Sequence, residues 1–250
     1  MRIRPRRHAP IPTRSEGTFT MRTLATTART ATLAAVAGAL LFTGVAAQGT
    51  AVAAPQAPKD KLTVAGYRAF LKTKDVKTLK AFDKLPKAKQ QKFVDYLQSP
   101  AVQKAYAVRA GGYVNRGGHN EEAFNKDVRF VADVKGVQKV AGGARHITLT
   151  FTATERIYGV PVITQKTVLS YQLKGGVKAQ KFTRSVTNLN GAFAVTPAKN
   201  ATVVVTGDNI SATAAWNAAP LYKSAGTATI TKRQVTSTVN VKFNAWIGNR

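Results

Sequence analysis

Between residues 146 and 156 the chain alternates without a break: Ile147, Leu149, Phe151 and Ala153 take every second place, and Thr148, Thr150, Thr152 and Thr154 fill the places between. Successive side chains of a strand point to opposite faces, so this pattern fits a half-buried strand and not an amphipathic helix, whose apolar residues return every three or four places. The threonines read as its solvent face, since threonine joins β-propensity to polarity. Each fully buried large side chain on the inner face contributes roughly 1.5–3 kcal/mol.

The same period runs through the rest of the chain. A first strand is expected at residues 127–134, before Ala141-Gly142-Gly143 turns the chain into the alternating segment. Residues 160–173 and 177–185 are joined by Gly175-Gly176, a hairpin signal, and Asn190-Gly191 predicts a type I′ turn between residues 186–189 and 192–195. Residues 201–206 and 210–216 flank Gly207-Asp208-Asn209; residues 226–231 and 235–246 close the chain, with Val239, Val241 and Phe243 on one side. About eight short strands separated by turns, without intervening helices, indicate an antiparallel β-sandwich, with an open barrel or jelly roll as the alternative.

Upstream the period is helical. Tyr67, Phe70 and Leu71 recur at helix spacing behind Thr63, a capping residue. Val76, Leu79 and Phe82 share a second face, with Thr73 or Asp75 as cap. Pro86 suits the first turn of a third helix carrying Phe93, Tyr96 and Leu97, and Ser99-Pro100 repeats the device before Val102 and Tyr106. The expected fold is therefore α+β, mainly β: a small basic N-terminal helical cluster at residues 62–108, then the sandwich at 127–250. Residues 109–126, with two glycine pairs around Tyr113 and Arg116, read as a Gly-rich linker.

Residues 30–54 set the compartment. Arg22 and Arg29 precede an uncharged run at residues 31–47, and small residues then lead to Ala51-Val52-Ala53. A positive start, an apolar middle and an A-x-A site are the anatomy of a cleaved signal peptide, here residues 21–53. Residues 1–20, rich in Arg and Pro and without periodicity, read as an upstream or mis-assigned start, and residues 54–61 as a flexible lead-in. No run of membrane-spanning length follows the cleavage site. There is no cysteine, so disulfides and thiolate chemistry are excluded, and an exported chain of this size must rest on a hydrophobic core, as bacterial exported proteins do.

Of 38 Lys and Arg, seven precede residue 54, leaving 31 against ten acids, a net charge of +21 for the remaining chain. Charge of this size attracts polyanions over a Debye length without naming one. Lys77, Lys80, Lys84 and Lys87 form a lysine stripe opposite the apolar face of the second helix, and Arg109, Tyr113 and Arg116 set an aromatic between cations. These seven are the candidate polyanion-binding residues.

Catalytic patterns are thin. Past the signal peptide the histidines are His119 and His146, and no G-x-S-x-G, H-E-x-x-H or phosphate-loop spacing occurs. No catalytic residue, metal ligand or cofactor is assigned, and no motif fixes a family. The expectation is a secreted non-enzymatic binding protein of bacterial type, extracellular or loosely wall-associated. It would present a basic surface to anionic cell-wall polymer or polysaccharide, with nucleic acid or anionic lipid as weaker partners. The alternatives are a secreted hydrolase using His119 and Glu122, and a secreted inhibitor or pore-forming toxin whose last hairpin inserts in a membrane.

Overall fold

A computed structural model describes residues 59–249; the expected signal peptide at residues 21–53, the segment before it and most of the expected lead-in lie outside the described residues. Four helices come first: α1 (Val64–Lys74), α2 (Val76–Asp83), α3 (Lys87–Leu97) and α4 (Pro100–Ala105). Ten strands follow: β1 (Val108–Tyr113), β2 (Gly118–Ala123), β3 (Val128–Ala141), β4 (Ala144–Ile157), β5 (Val160–Leu173), β6 (Val177–Asn188), β7 (Phe193–Thr206), β8 (Asn209–Pro220), β9 (Ile230–Val239) and β10 (Lys242–Asn249). The protein is mostly β, with two antiparallel sheets and a few helices. Among the described residues no helix is long and apolar enough to cross a membrane.

Local chemistry starts the helices. Thr63 Oγ1 accepts from the Gly66 amide, Asp75 from the Lys77 amide, and Ser99 from the Val102 amide ahead of Pro100. Each satisfies an amide that the first turn leaves without a partner. Val76 does not join the apolar face of α2 as expected and is 54% exposed. With Asp75 as cap the helix turns Thr78 inward instead, and the Thr78 hydroxyl donates to Asp75 Oδ2 at 2.7 Å.

The strand orders are β2-β3-β4-β5-β6 and β1-β10-β9-β8-β7. In β4, Ile147, Leu149, Phe151 and Ala153 are buried, and in β8 so are Ile210, Ala212, Ala214 and Trp216. Hydrogen bonds cross from sheet to sheet, Tyr171 to Thr238 at 3.0 Å and Thr167 to Thr236 at 3.4 Å. Tyr67 of α1, Phe82 of α2 and Phe93 of α3 pack together edge-on or tilted and belong to the same continuous core. The helices close the end where β4 turns into β5. There the Tyr67 hydroxyl donates to the Leu189 carbonyl at 2.9 Å, and the Tyr96 and Tyr158 hydroxyls both donate to Asp127 Oδ2. The turns of the β3–β4, β5–β6, β7–β8 and β9–β10 pairs lie at the opposite end.

Several expectations are corrected. Residues 109–126 are not a linker, because β1 and β2 occupy most of them and enter different sheets. Three of their four glycines are close-approach residues: a Cβ on Gly112 would collide with the Gly117 carbonyl and the Phe243 ring, one on Gly117 with the Val134 carbonyl, and one on Gly118 with the Gly111 carbonyl. Asn190-Gly191 is not a hairpin turn, since β6 and β7 are edge strands of different sheets. Asn190 Oδ1 accepts from the Ala192 and Phe193 amides, bending the chain across the gap, and Gly191 takes φ 72°. The final turn falls at Asn240-Val241, so Val239 and Val241 are exposed while Phe243 is buried. Among the described residues the strands number ten and not about eight. Threonine is not always the outer face either: in β9 the inward residues are Lys232, Gln234, Thr236 and Thr238. At the other end of the described chain, Lys59 is pinned beside Tyr222, its carbonyl accepting from the Lys223 amide at 2.9 Å.

Candidate functional site

The seven candidate residues are all exposed, and the fold does not gather them. Lys77 and Lys80 lie on α2, Lys84 ends it, and Lys87 opens α3, all on the helical cap. Tyr113 pairs in register with Lys242 beside the β9–β10 turn, at the far end, and Arg116 follows in the β1–β2 turn. Arg109 sits between the two regions on β1, opposite Trp246.

Five of the ten acids beyond residue 53 are held in ion pairs among the described residues, Asp60–Lys223, Asp83–Arg68, Asp95–Lys61, Asp127–Lys92 and Glu121–Arg129, and a sixth, Asp133, is hydrogen-bonded to His119. Asp75 is engaged as a helix cap and Glu155 is fully buried. Lys92, 2.9 Å from Asp127, holds that carboxyl below the usual range, helped by the tyrosine hydroxyls. None of the four helical lysines takes part in these pairs.

His119 and Glu122 do not converge. They are three places apart on β2, so their side chains leave opposite faces. His119 Nδ1 lies 2.7 Å from Asp133 Oδ1 on an exposed surface, and Glu122 borders a different cleft. Among the described residues no group of three or more His, Asp or Glu is placed to hold a metal ion. The hairpin considered for membrane insertion is an interior part of its sheet, with β10 paired to β1 and β9 to β8.

The arrangement missed from sequence is the outer face of the β1-β10-β9-β8-β7 sheet. Phe243, Ala245 and Ile247 take the core side of β10, which turns Lys242, Asn244 and Trp246 outward. Across the strands Trp246 stands in register with Arg109 on one side and Val235 on the other. The Arg233 guanidinium lies over the Trp246 ring at 6.0 Å, and Lys242 Nζ over the Tyr113 ring at 5.7 Å. A cleft of about 560 Å³ borders Trp246, lined by Arg109, Glu122 and Asn244 among others. A second of about 250 Å³ lies on the other side of Arg233, lined by Asn200, Thr202, Thr213 and Ala215. Arg233 Nε is buried and has no hydrogen-bond partner.

A second missed feature is interior. Glu155 is fully buried; its Oε2 accepts from Gln103 Nε2 at 2.8 Å, and its Oε1 has no partner. Burial pushes its carboxyl up to about 7, against the lowering effects of Gln103 and the Lys232 charge. Burial lowers the Lys232 ammonium to about 8, opposed by Glu155, and its Nζ donates to the Lys104 carbonyl and Asn249 Oδ1. Comparison with protein-family models, with curated proteins and with solved structures gives no match.

Proposed function

We propose that this is a secreted, non-enzymatic binding protein of bacterial type, a two-sheet sandwich with a basic helical cap that associates with an extracellular polyanion such as anionic cell-wall polymer or polysaccharide. One observation carries the reading: most acids are engaged in ion pairs, a helix cap or the interior, whereas Lys77, Lys80, Lys84 and Lys87 are exposed and outside those pairs. The positive excess is therefore free surface charge. It sits on a rigid helical scaffold, so a polymer meets several cations without ordering them first.

Electrostatic association of this kind releases counterions and weakens as salt rises. Retention of the protein on isolated wall polymer should be strong at low salt and fall steeply with added salt. Reversing Lys77, Lys80, Lys84 and Lys87 to Glu should flatten that dependence without unfolding a surface built on caps and core contacts elsewhere. No retention at low salt, or retention indifferent to salt, rejects the proposal.

A further inference from the structure

We propose that the outer face of the β1-β10-β9-β8-β7 sheet is a glycan-binding site for a pyranose polymer bearing carboxylate groups, with Trp246 as its stacking platform and Arg109 and Arg233 as its carboxylate partners. The assignment rests on the reading of the protein as a polyanion binder and names the ligand class and the place.

An outward indole in the middle strands of a sheet is a large apolar surface that folding does not require, because Phe243, Ala245 and Ile247 already supply the core side of β10. Its neighbours leave it approachable. A Cβ on Gly111, two pairs further along β1 from Arg109, would meet only the Phe243 carbonyl, at 3.7 Å, so the sheet is bare there. The cleft of about 560 Å³ runs along Trp246 and Arg109 toward Gly248 and Asn249. The C–H face of a pyranose ring is flat and apolar and stacks on an aromatic ring, while its hydroxyls stay at the edge for hydrogen bonding.

Arg233 supplies the charge selectivity. Its guanidinium is held over the indole, yet Nε is buried with no acceptor. A carboxylate arriving at the terminal nitrogens of the guanidinium is met in the two-bond geometry that arginine offers. Arg109, exposed in register with Trp246 on the next strand, provides a second fork.

The remaining outer positions favour a sugar over a nucleic acid. Asn244, Ser237, Ser211, Thr213 and Thr202 are neutral groups that both donate and accept, as sugar hydroxyls do. The face carries few cations besides Arg109, Arg233 and Lys242, too sparse to track a phosphate at every unit. Glu122 at the cleft edge adds an acceptor for hydroxyls. Tyr113, partnered by Lys242, lies four places along the strands from Trp246's register, about 13 Å at the strand rise, so it forms a second platform for the same extended chain.

The test uses the full chain and its two tryptophans. Trp216 is fully buried, with Nε1 bonded to Gln234 at 2.8 Å, so a fluorescence change on ligand addition reports Trp246. Oligogalacturonate should give a saturable change, and a neutral oligoglucan a weaker one. By calorimetry, Trp246→Ala and Arg233→Ala should each lose tenfold or more in affinity, and Arg233→Lys should not restore it. Arg109→Ala, at an exposed position that leaves the core untouched, should also weaken binding, which guards against a folding failure in the other variants. Unchanged affinity in Trp246→Ala and Arg109→Ala while salt-sensitive retention on wall polymer persists overturns this inference alone. Loss of that retention as well rejects the broader reading. Equal binding of oligothymidylate or poly(glycerol phosphate) through Trp246 overturns the carboxylated-sugar assignment.

Discussion

Replacing Glu155 by Gln should make the protein more stable near pH 7.5 and leave it almost unchanged near pH 4.5. Glu155 is fully buried, and burial raises its carboxyl from the ordinary 4.5 to about 7 in the folded protein. Below pH 4.5 the folded and unfolded chains both hold the proton, and above pH 7 neither does. Between those values only the folded chain holds it, so raising the pH costs stability throughout the window. At about 1.4 kcal/mol per pH unit, the full loss between pH 4.5 and 7 is ~3 kcal/mol.

Gln has no such titration, and its shape matches that of the protonated carboxyl. Its carbonyl can accept from Gln103 Nε2, as Oε2 does at 2.8 Å, and its amide occupies the place of the unpartnered Oε1. Urea unfolding of both proteins at intervals from pH 4.5 to 7.5 isolates the effect. The histidines and the general charge repulsion change both curves equally and cancel in the difference. The upper limit stays below the Lys232 value of about 8, since loss of that charge would remove an attraction that favours ionised Glu155. A difference that stays flat from pH 5 to 7.5 would refute the claim that Glu155 is protonated in the folded state.

Two further perturbations test how the sheets and helices are joined. Asn190→Ala removes the acceptor of the Ala192 and Phe193 amides at the sheet-to-sheet crossing and should cost about 1–3 kcal/mol in urea unfolding. Gly191→Ala, at φ 72° with Tyr67 and Phe70 carbons 3.2–3.4 Å from the new methyl, should destabilise by about 1 kcal/mol or more. Gln98→Ala breaks the hydrogen bonds that tie Leu62 to α3, at 2.7 Å from its amide and 3.0 Å to its carbonyl. Its cost should reach about 1–3 kcal/mol, with faster amide exchange in the first helix as the local readout.

What sequence reveals and what it hides divide along a physical line. The alternation of β4 is legible because its two faces differ in kind, aliphatic and aromatic against threonine. Thr63, Asp75 and Ser99-Pro100 are legible because a helix start is a local problem with a local solution. The glycine pairs of residues 111–118 misled, since close approach and hinge freedom call for the same residue. Only the packing against Gly117, Phe243 and Gly111 distinguishes them. In β9, Lys232, Gln234, Thr236 and Thr238 face inward, where hydrogen bonds to Thr167 and Tyr171 replace the aliphatic contacts that a pattern search expects.

The Trp246 face was hidden for a related reason. Residues 235–246, taken as one strand, put Val239, Val241 and Phe243 on a common side. The turn at Asn240, which takes φ 56°, ends β9 before β10 starts, so the two valines are exposed and only Phe243 goes in. Parity within β10 then depends on Phe243 finding the core, a contact supplied by distant strands. Arg109 reaches Trp246 only because β1 pairs with β10 across more than half the described chain. A face assembled from the first and last strands comes into being only once the long-range pairing is complete, after the entropy of closing that loop has been overcome. The glycan binding proposed at Trp246 therefore doubles as a report on the native fold, since it requires the first and last strands to be paired.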